Sequence, residues 1–300
     1  MNDTGVATHS DSPMEQSDSA TLTTLAHPAQ SAAPSPAQDA LNPVAASHVY
    51  VIGRVEPRLP SLAVEKEIAQ VVGRGNNSGL TDREALIRVL DDPANRYLAR
   101  RLCWVLTVEN LDTYVLVPRD PADLQLLVDA VRPAPSPEDV DVVIGTRGPV
   151  APAELCGGVL APLVVFDQLW SFSREDLIAA IPRPDGTPED RFNATAEELL
   201  NRVLQLADNA GATDEHRALN YLVVRYPAIY ARTAMAHADN ASLSSVDVRP
   251  SRLSGARRIV DVIFSYTNRA SDITESSFVR VDITEEFPFL VSKLAPFYDR

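Results

Sequence analysis

Apolar and polar positions along this chain alternate between two periods, one of about two residues and one of about three to four. His48-Val-Tyr-Val-Ile-Gly-Arg-Val55 is β-rich and predicts an opening strand. After Pro60 the spacing widens to Leu62, Val64, Ile68 and Val71, with Glu65, Lys66 and Glu67 between them. That is an amphipathic helix running into a Gly73–Gly79 loop. Thr81-Asp-Arg-Glu84 is a capping box ahead of Leu86, Val89 and Leu90. Pro93 to Leu102 is read as helical. Cys103–Glu109 and Thr113–Val117 flank Asn110-Leu-Asp112 and predict a β-hairpin. Asp120-Pro121 opens a helix to about Val131, which Pro133, Pro135 and Pro137 stop. Val140–Ile144 and Leu163–Leu169 read as short buried strands, and Ser173 caps a short helix ending near Ile181.

Pro182-Arg-Pro-Asp-Gly-Thr-Pro188 is the strongest internal break and predicts a subdomain boundary. Beyond it Thr195-Ala-Glu-Glu198 reads as a second capping box, followed by Leu199, Leu200, Val203 and Leu204. Thr213 caps a helix through Arg225, Pro227 ends or kinks it, and Ile229–Ala238 continues the helical spacing. Arg258–Tyr266 and Ser277–Ile283 alternate as strands. The expected class is α+β: mixed helices and antiparallel hairpins in two packed subdomains, 48–188 and 189–300.

Composition changes this picture at the N-terminus. Residues 1–47 hold no Lys, Arg or aromatic residue but five Pro and five acids. Such a segment buries too little apolar surface to offset its ordering entropy, so a disordered tail or linker is expected there. The chain as a whole carries 27 basic and 41 acidic residues, a formal net charge of −14. That balance argues against nucleic acid as a partner, because duplex phosphates need a basic face. No apolar run has the length of a membrane helix, and no secretory signal opens the chain. Two Cys cannot make a disulfide framework, which fits a reducing cytoplasm.

Catalytic motifs are sparse. There is no Gly-x-Ser-x-Gly elbow, no Walker loop and no His-Glu-x-x-His. Cys103 reads as a small buried hydrophobe in an apolar strand, and Cys156, before Gly157-Gly158, is the more reactive thiol. Cys103, Cys156 and His216 could converge on zinc, although no local ligand spacing supports it, so no cofactor is expected. Three segments carry more information. Asp208–Tyr221 places Asp214, Glu215 and His216 in the first turn of a helix. There the carboxylates complement the helix dipole, or Asp214, His216 and Asn220 line a polar pocket for a peptide or metal. Arg249-Pro-Ser-Arg-Leu-Ser-Gly-Ala-Arg-Arg258 gathers Arg249, Arg252, Arg257 and Arg258, either paired with the protein's own acids or forming a dock for an acidic peptide or partner. Arg225-Tyr-Pro-Ala-Ile-Tyr230 reads as core packing.

Several of these strings carry a resemblance. Arg249-Pro-Ser-Arg-Leu-Ser-Gly255, Ala207–Tyr221 and Val262-Ile-Phe-Ser-Tyr-Thr-Asn268 resemble the C-terminal domain of cyanobactin maturation proteases of the PatA/PatG type. His48–Arg58, Asn95-Arg-Tyr-Leu98, Val143-Ile-Gly145 with Arg147-Gly-Pro149, Phe166-Asp-Gln168 and Arg280–Phe289 continue the likeness over about residues 48–300. In that family the domain follows a subtilisin-like protease that cuts or macrocyclises a ribosomal precursor peptide. The domain itself brings no catalytic residues to carry over. Forty-seven residues before His48 cannot hold a subtilisin fold, so a stand-alone domain is expected. The resemblance implies a non-catalytic accessory domain that binds a precursor peptide or modifying enzyme, with a homodimer also open. Two alternatives remain: a metal-assisted enzyme using Cys156, His216, Asp214 and Glu215, and a purely oligomerising scaffold.

Overall fold

The computed structural model describes residues 47–75, 78–205 and 208–298. The expected disordered tail lies outside the described residues, apart from Ser47, which already belongs to a strand.

Five strands close into a barrel in the order β1-β2-β3-β5-β4: β1 (Ser47–Arg58), β2 (Cys103–Val108), β3 (Leu111–Pro118), β4 (Asp139–Val150) and β5 (Pro162–Ser173). Neighbours are antiparallel except β3 and β5, which run parallel with Val115 opposite Leu163. A second, antiparallel sheet has the order β10-β8-β7-β6, from β6 (Ala241–Pro250), β7 (Ile259–Asn268), β8 (Thr274–Asp282) and β10 (Ala295–Phe297). A short β9 (Phe289–Leu290) also pairs with β8. The helices are α1 (Leu62–Arg74), α2 (Asp82–Asp91), α3 (Arg96–Ala99), α4 (Leu124–Ala130), α5 (Arg174–Ala179), α6 (Glu189–Leu204), α7 (Asp214–Arg225) and α8 (Ala228–Ala238). The class is α+β, as expected. Among the described residues no helix is long and apolar enough to cross a membrane.

Alternation along the barrel strands produces two large cores and a small third cluster around Cys103 and Val115. Val49, Val51 and Val55 of β1 join Trp104, Leu106, Leu116, Val143, Val164 and Phe166, together with Val64, Val89 and Leu127 of the first helices. On the other face of β1 and β4, Tyr50, Ile52, Val142 and Ile144 meet Leu199, Leu219, Leu222 and Tyr230 of α6–α8. The same cluster takes in Val262, Phe264 and Val279 of the second sheet. Period two sends successive side chains to opposite faces, so one strand serves both cores. Residues on both sides of Pro182–Pro188 therefore share one apolar core.

Local signals explain most boundaries. Thr81 and Glu84 form the capping box, and Ser173 and Asp176 form another. Glu109 and Asn110 both have positive φ, so the hairpin turns there and β3 begins at Leu111, before the expected Thr113. Pro93–Ala99 is a 3-10 turn followed by the single turn α3, shorter than expected. The Thr195 capping box is corrected. α6 begins at Glu189 behind Pro188, and Thr195 sits mid-helix, buried, its hydroxyl donating to Phe192 O at 2.9 Å. β6 was not expected. Its residues Ser242, Ser244, Ser245 and Asp247 hide the alternation, because it is an edge strand bonded on one side only.

Candidate functional site

The sharpest concentration of ionisable groups lies where the barrel meets α7 and the connection after β8. It begins with a glycine. Ile144 pairs with Gln168 and Gly145 with Phe166, so Asp167 is the extra residue of a β-bulge on β5. A Cβ on Gly145 would sit 2.4 Å from Val165 O and 2.7 Å from Phe166 Cα, so only glycine lets the bulged strand approach. Arg119, just past β3, donates through Nε and Nη2 to the Asp167 carboxylate at 2.5 and 2.7 Å, and through Nη2 to Thr146 Oγ1 at 3.2 Å. That bidentate grip holds Asp167 below the usual carboxylate range.

Glu286 faces the same carboxylate from the connection after β8. Burial first, and then the neighbouring Asp167 carboxylate, raise Glu286 to about 7. Its Oε1 is buried with no hydrogen-bond partner, and the Arg119 guanidinium lies 3.9 Å away. Arg217 of α7, only 1% exposed, holds the connection from behind. It donates to Ile283 O at 2.8 Å, to Glu286 O at 3.2 Å and also to Glu285 O. Burial, followed by the charge of Arg258, lowers Arg217 to about 10. His48 at the start of β1 is lowered by burial and then by Arg217, which favours the neutral ring.

The two segments singled out by sequence meet beside this seam: Arg258 Nη1 pairs with Asp214 Oδ1 at 3.0 Å. Asp214 and Glu215 occupy the first turn of α7, capped by Thr213 Oγ1, which accepts from His216 N at 3.1 Å. The His216 ring is lowered by burial. Asn220 lies elsewhere, fully buried. Its amide donates to Tyr50 O at 2.8 Å and to Asn209 Oδ1 at 3.1 Å, and accepts from Asn209 Nδ2 at 2.8 Å. Gly211, at φ +66°, accepts from Tyr50 N at 2.9 Å, and a Cβ there would lie 2.3 Å from Tyr50 O. This glycine-bearing segment is therefore a clasp of the helices onto β1.

The four arginines disperse. Arg257 donates to Asp282 at 2.5 Å and covers Phe289, while Arg252 is exposed in the β6–β7 turn. Arg249 lies over the Phe297 ring at 4.6 Å on the face of the second sheet turned away from the helices. There Phe297 meets Phe278 edge to face at 5.7 Å, Arg280 covers Phe278 at 4.8 Å, and Asp261 pairs with Arg280 at 3.0 Å. A groove of about 690 Å³ opens beside this row, between Asp247, Arg249, Ile263, Phe297 and Tyr298.

The cysteine expectations are corrected. Cys103 and Cys156 are joined in a disulfide with Cα atoms 5.2 Å apart, 4% and 1% exposed. Neither sulfur is a free thiolate, so Cys156 is neither nucleophile nor zinc ligand, and the pair with His216 makes no metal site. Among the described residues no three His, Cys, Asp or Glu side chains are grouped to hold a metal ion. Asp167, Glu286, Arg119, Arg217, Phe278 and Phe297 were missed. Gly145 at the end of an apolar strand was the one local signal, and it pointed to Asp167 alone, since glycine there marks a bulge or close approach.

Residues 186–297 match the family model described as PatG C-terminal. A solved structure titled "PatG Domain of Unknown Function" superposes with a TM-score of 0.68 at 19% identity, covering 84% of this chain and 99% of that one; at that identity the fold is what is shared. Among curated proteins none matches the chain.

Proposed function

Because this chain carries a PatG C-terminal-type domain, we propose that it is a non-catalytic accessory domain of a cyanobactin-like ribosomal-peptide modification pathway, binding a precursor peptide. In this reading the peptide lies extended across the open face of the second sheet. The observation that carries it is the row Arg249–Phe297–Phe278–Arg280, two rings between two guanidinium groups, beside a groove of about 690 Å³. Guanidinium planes take carboxylates and the rings take apolar side chains, so the row suits an acidic peptide with apolar positions. A partner enzyme presenting such a segment would use the same face.

Calorimetry of the full chain against precursor peptides encoded beside its gene tests this. Micromolar binding is expected, weakened about tenfold, or ~1.4 kcal/mol, in Arg249→Gln and in Phe297→Ala. Arg249→Gln leaves both apolar cores intact, so a loss there reports the groove. Absence of binding to any of these peptides, or wild-type affinity in both variants, would sink the proposal. Self-association detected by light scattering without peptide affinity would favour the scaffold instead.

A further inference from the structure

We propose that an apolar pocket between β2, β3 and the start of α4, with the exposed Arg100 at its edge, is a binding site for a small monocarboxylic acid with an apolar body.

The pocket holds about 350 Å³, within the range of small-molecule sites. Trp104 and Leu116, paired across β2 and β3, line it together with Leu124 of α4 and Leu155 from the turn after β4. Val117, the next residue of β3, is exposed beside them. These walls already hold their places. Trp104 Nε1 donates to Ala99 O at 3.0 Å, which fixes the indole. The Cys103–Cys156 bridge joins the first residue of β2 to the neighbour of Leu155, so two sides of the pocket are tied covalently. An apolar ligand entering here would have little ordering of the protein to offset.

Polar groups in the lining are few, and they select the ligand. The indole N–H is committed to Ala99, and Pro118 and Pro121 carry no N–H. Arg100, just past α3, is the one charged residue of the lining. Among the described residues its side chain makes no ion pair or hydrogen bond, whereas its neighbour Arg101 pairs with Glu67. The chain has 41 acids for 27 bases, so a guanidinium without an acid of its own is not for want of acids. Such a group beside apolar walls suits a carboxylate brought by a ligand, its planar fork taking both oxygens. The hydrocarbon body leaves water for the pocket. A neutral ligand gains no charge pairing from Arg100, and a second carboxylate carried inward would be buried without a partner.

This pocket shares no residue with the Arg249–Phe297 groove, so the two sites are tested independently.

Two-dimensional NMR of the full chain with octanoate, kept below its micelle concentration, tests the assignment. The chain has two Trp, at 104 and 170. The indole N–H signal of Trp104 should shift saturably while that of Trp170 stays in place. Octanamide, the same body without the charge, should bind about tenfold more weakly. Arg100→Gln should weaken octanoate about tenfold and leave octanamide unchanged. Arg100 is exposed, so that variant should keep the fold, and the comparison of the two probes needs only the wild-type chain. A Trp104 signal unmoved by octanoate, octanamide binding as tightly as octanoate, or octanoate affinity indifferent to Arg100→Gln would each overturn the proposal.

Discussion

The Cys103→Ala, Cys156→Ala double variant should lose about 4 kcal/mol of stability, on the chain-entropy estimate for a 53-residue separation. For a folded part of this size that corresponds to a melting point lower by on the order of 10 °C. The bridge ties the first residue of β2 to the turn after Ala153–Leu155, so it closes a loop containing the β2–β3 hairpin, α4 and β4. Both sulfurs lie in a small cluster with Val105, Val115, Ala151 and Ala161, so the variant also leaves a packing defect there. Thermal melting of wild type and variant measures the difference. Reductant should lower the wild-type melting point and leave the variant where it is. An unchanged melting point in the variant would mean the bridge does not constrain the unfolded chain. Sequence reading took the same two residues as free thiols in a reducing compartment. Fifty-two intervening residues separate them, and only barrel closure sets their Cα atoms 5.2 Å apart.

Arg217→Met should cost about 3–5 kcal/mol, because it strips the donors from three main-chain carbonyls. Methionine fills much of the buried volume and leaves the carbonyls of Ile283, Glu285 and Glu286 without their donors. Those carbonyls anchor the run from β8 to β9, so the loss should concentrate there. Denaturant unfolding gives the magnitude. Raised hydrogen exchange confined to 283–290, with β1 and β4 still protected, gives the location. A variant as stable as wild type would show that water satisfies those carbonyls without the guanidinium.

What the sequence disclosed and what it hid divides by range. Thr81–Glu84, Ser173 and Thr213 act within one helical turn, and each caps the helix expected of it. Thr195 carries the same local signature yet lies mid-helix, because Phe192, Leu199 and Val203 bury one continuous face that extends the helix back to Pro188. The barrel itself was hidden. The parallel β3–β5 pair joins strands separated by α4 and β4, and no local pattern records a long-range partner. The charged seam was hidden for the same reason. Arg119, Asp167, Arg217 and Glu286 come from four separate stretches, and the sequence reading assigned none of them to a site. The contact between Asp214 and Arg258 joins two segments singled out in advance, though neither segment named the other. Asn220 was read as a ligand-facing amide, and its full burial could be seen only once Asn209 and Tyr50 were in place.

One consequence follows from the core that β1 and β4 share with α6–α8. The stretch matching the family model starts at residue 186, and that core runs on across it to β1 and β4. Severed there, Leu199, Leu219 and Leu222 would lose the wall formed by Tyr50, Val142 and Ile144 and turn bare hydrocarbon to water. A fragment of this chain beginning there would need another surface of the same shape to cover that face.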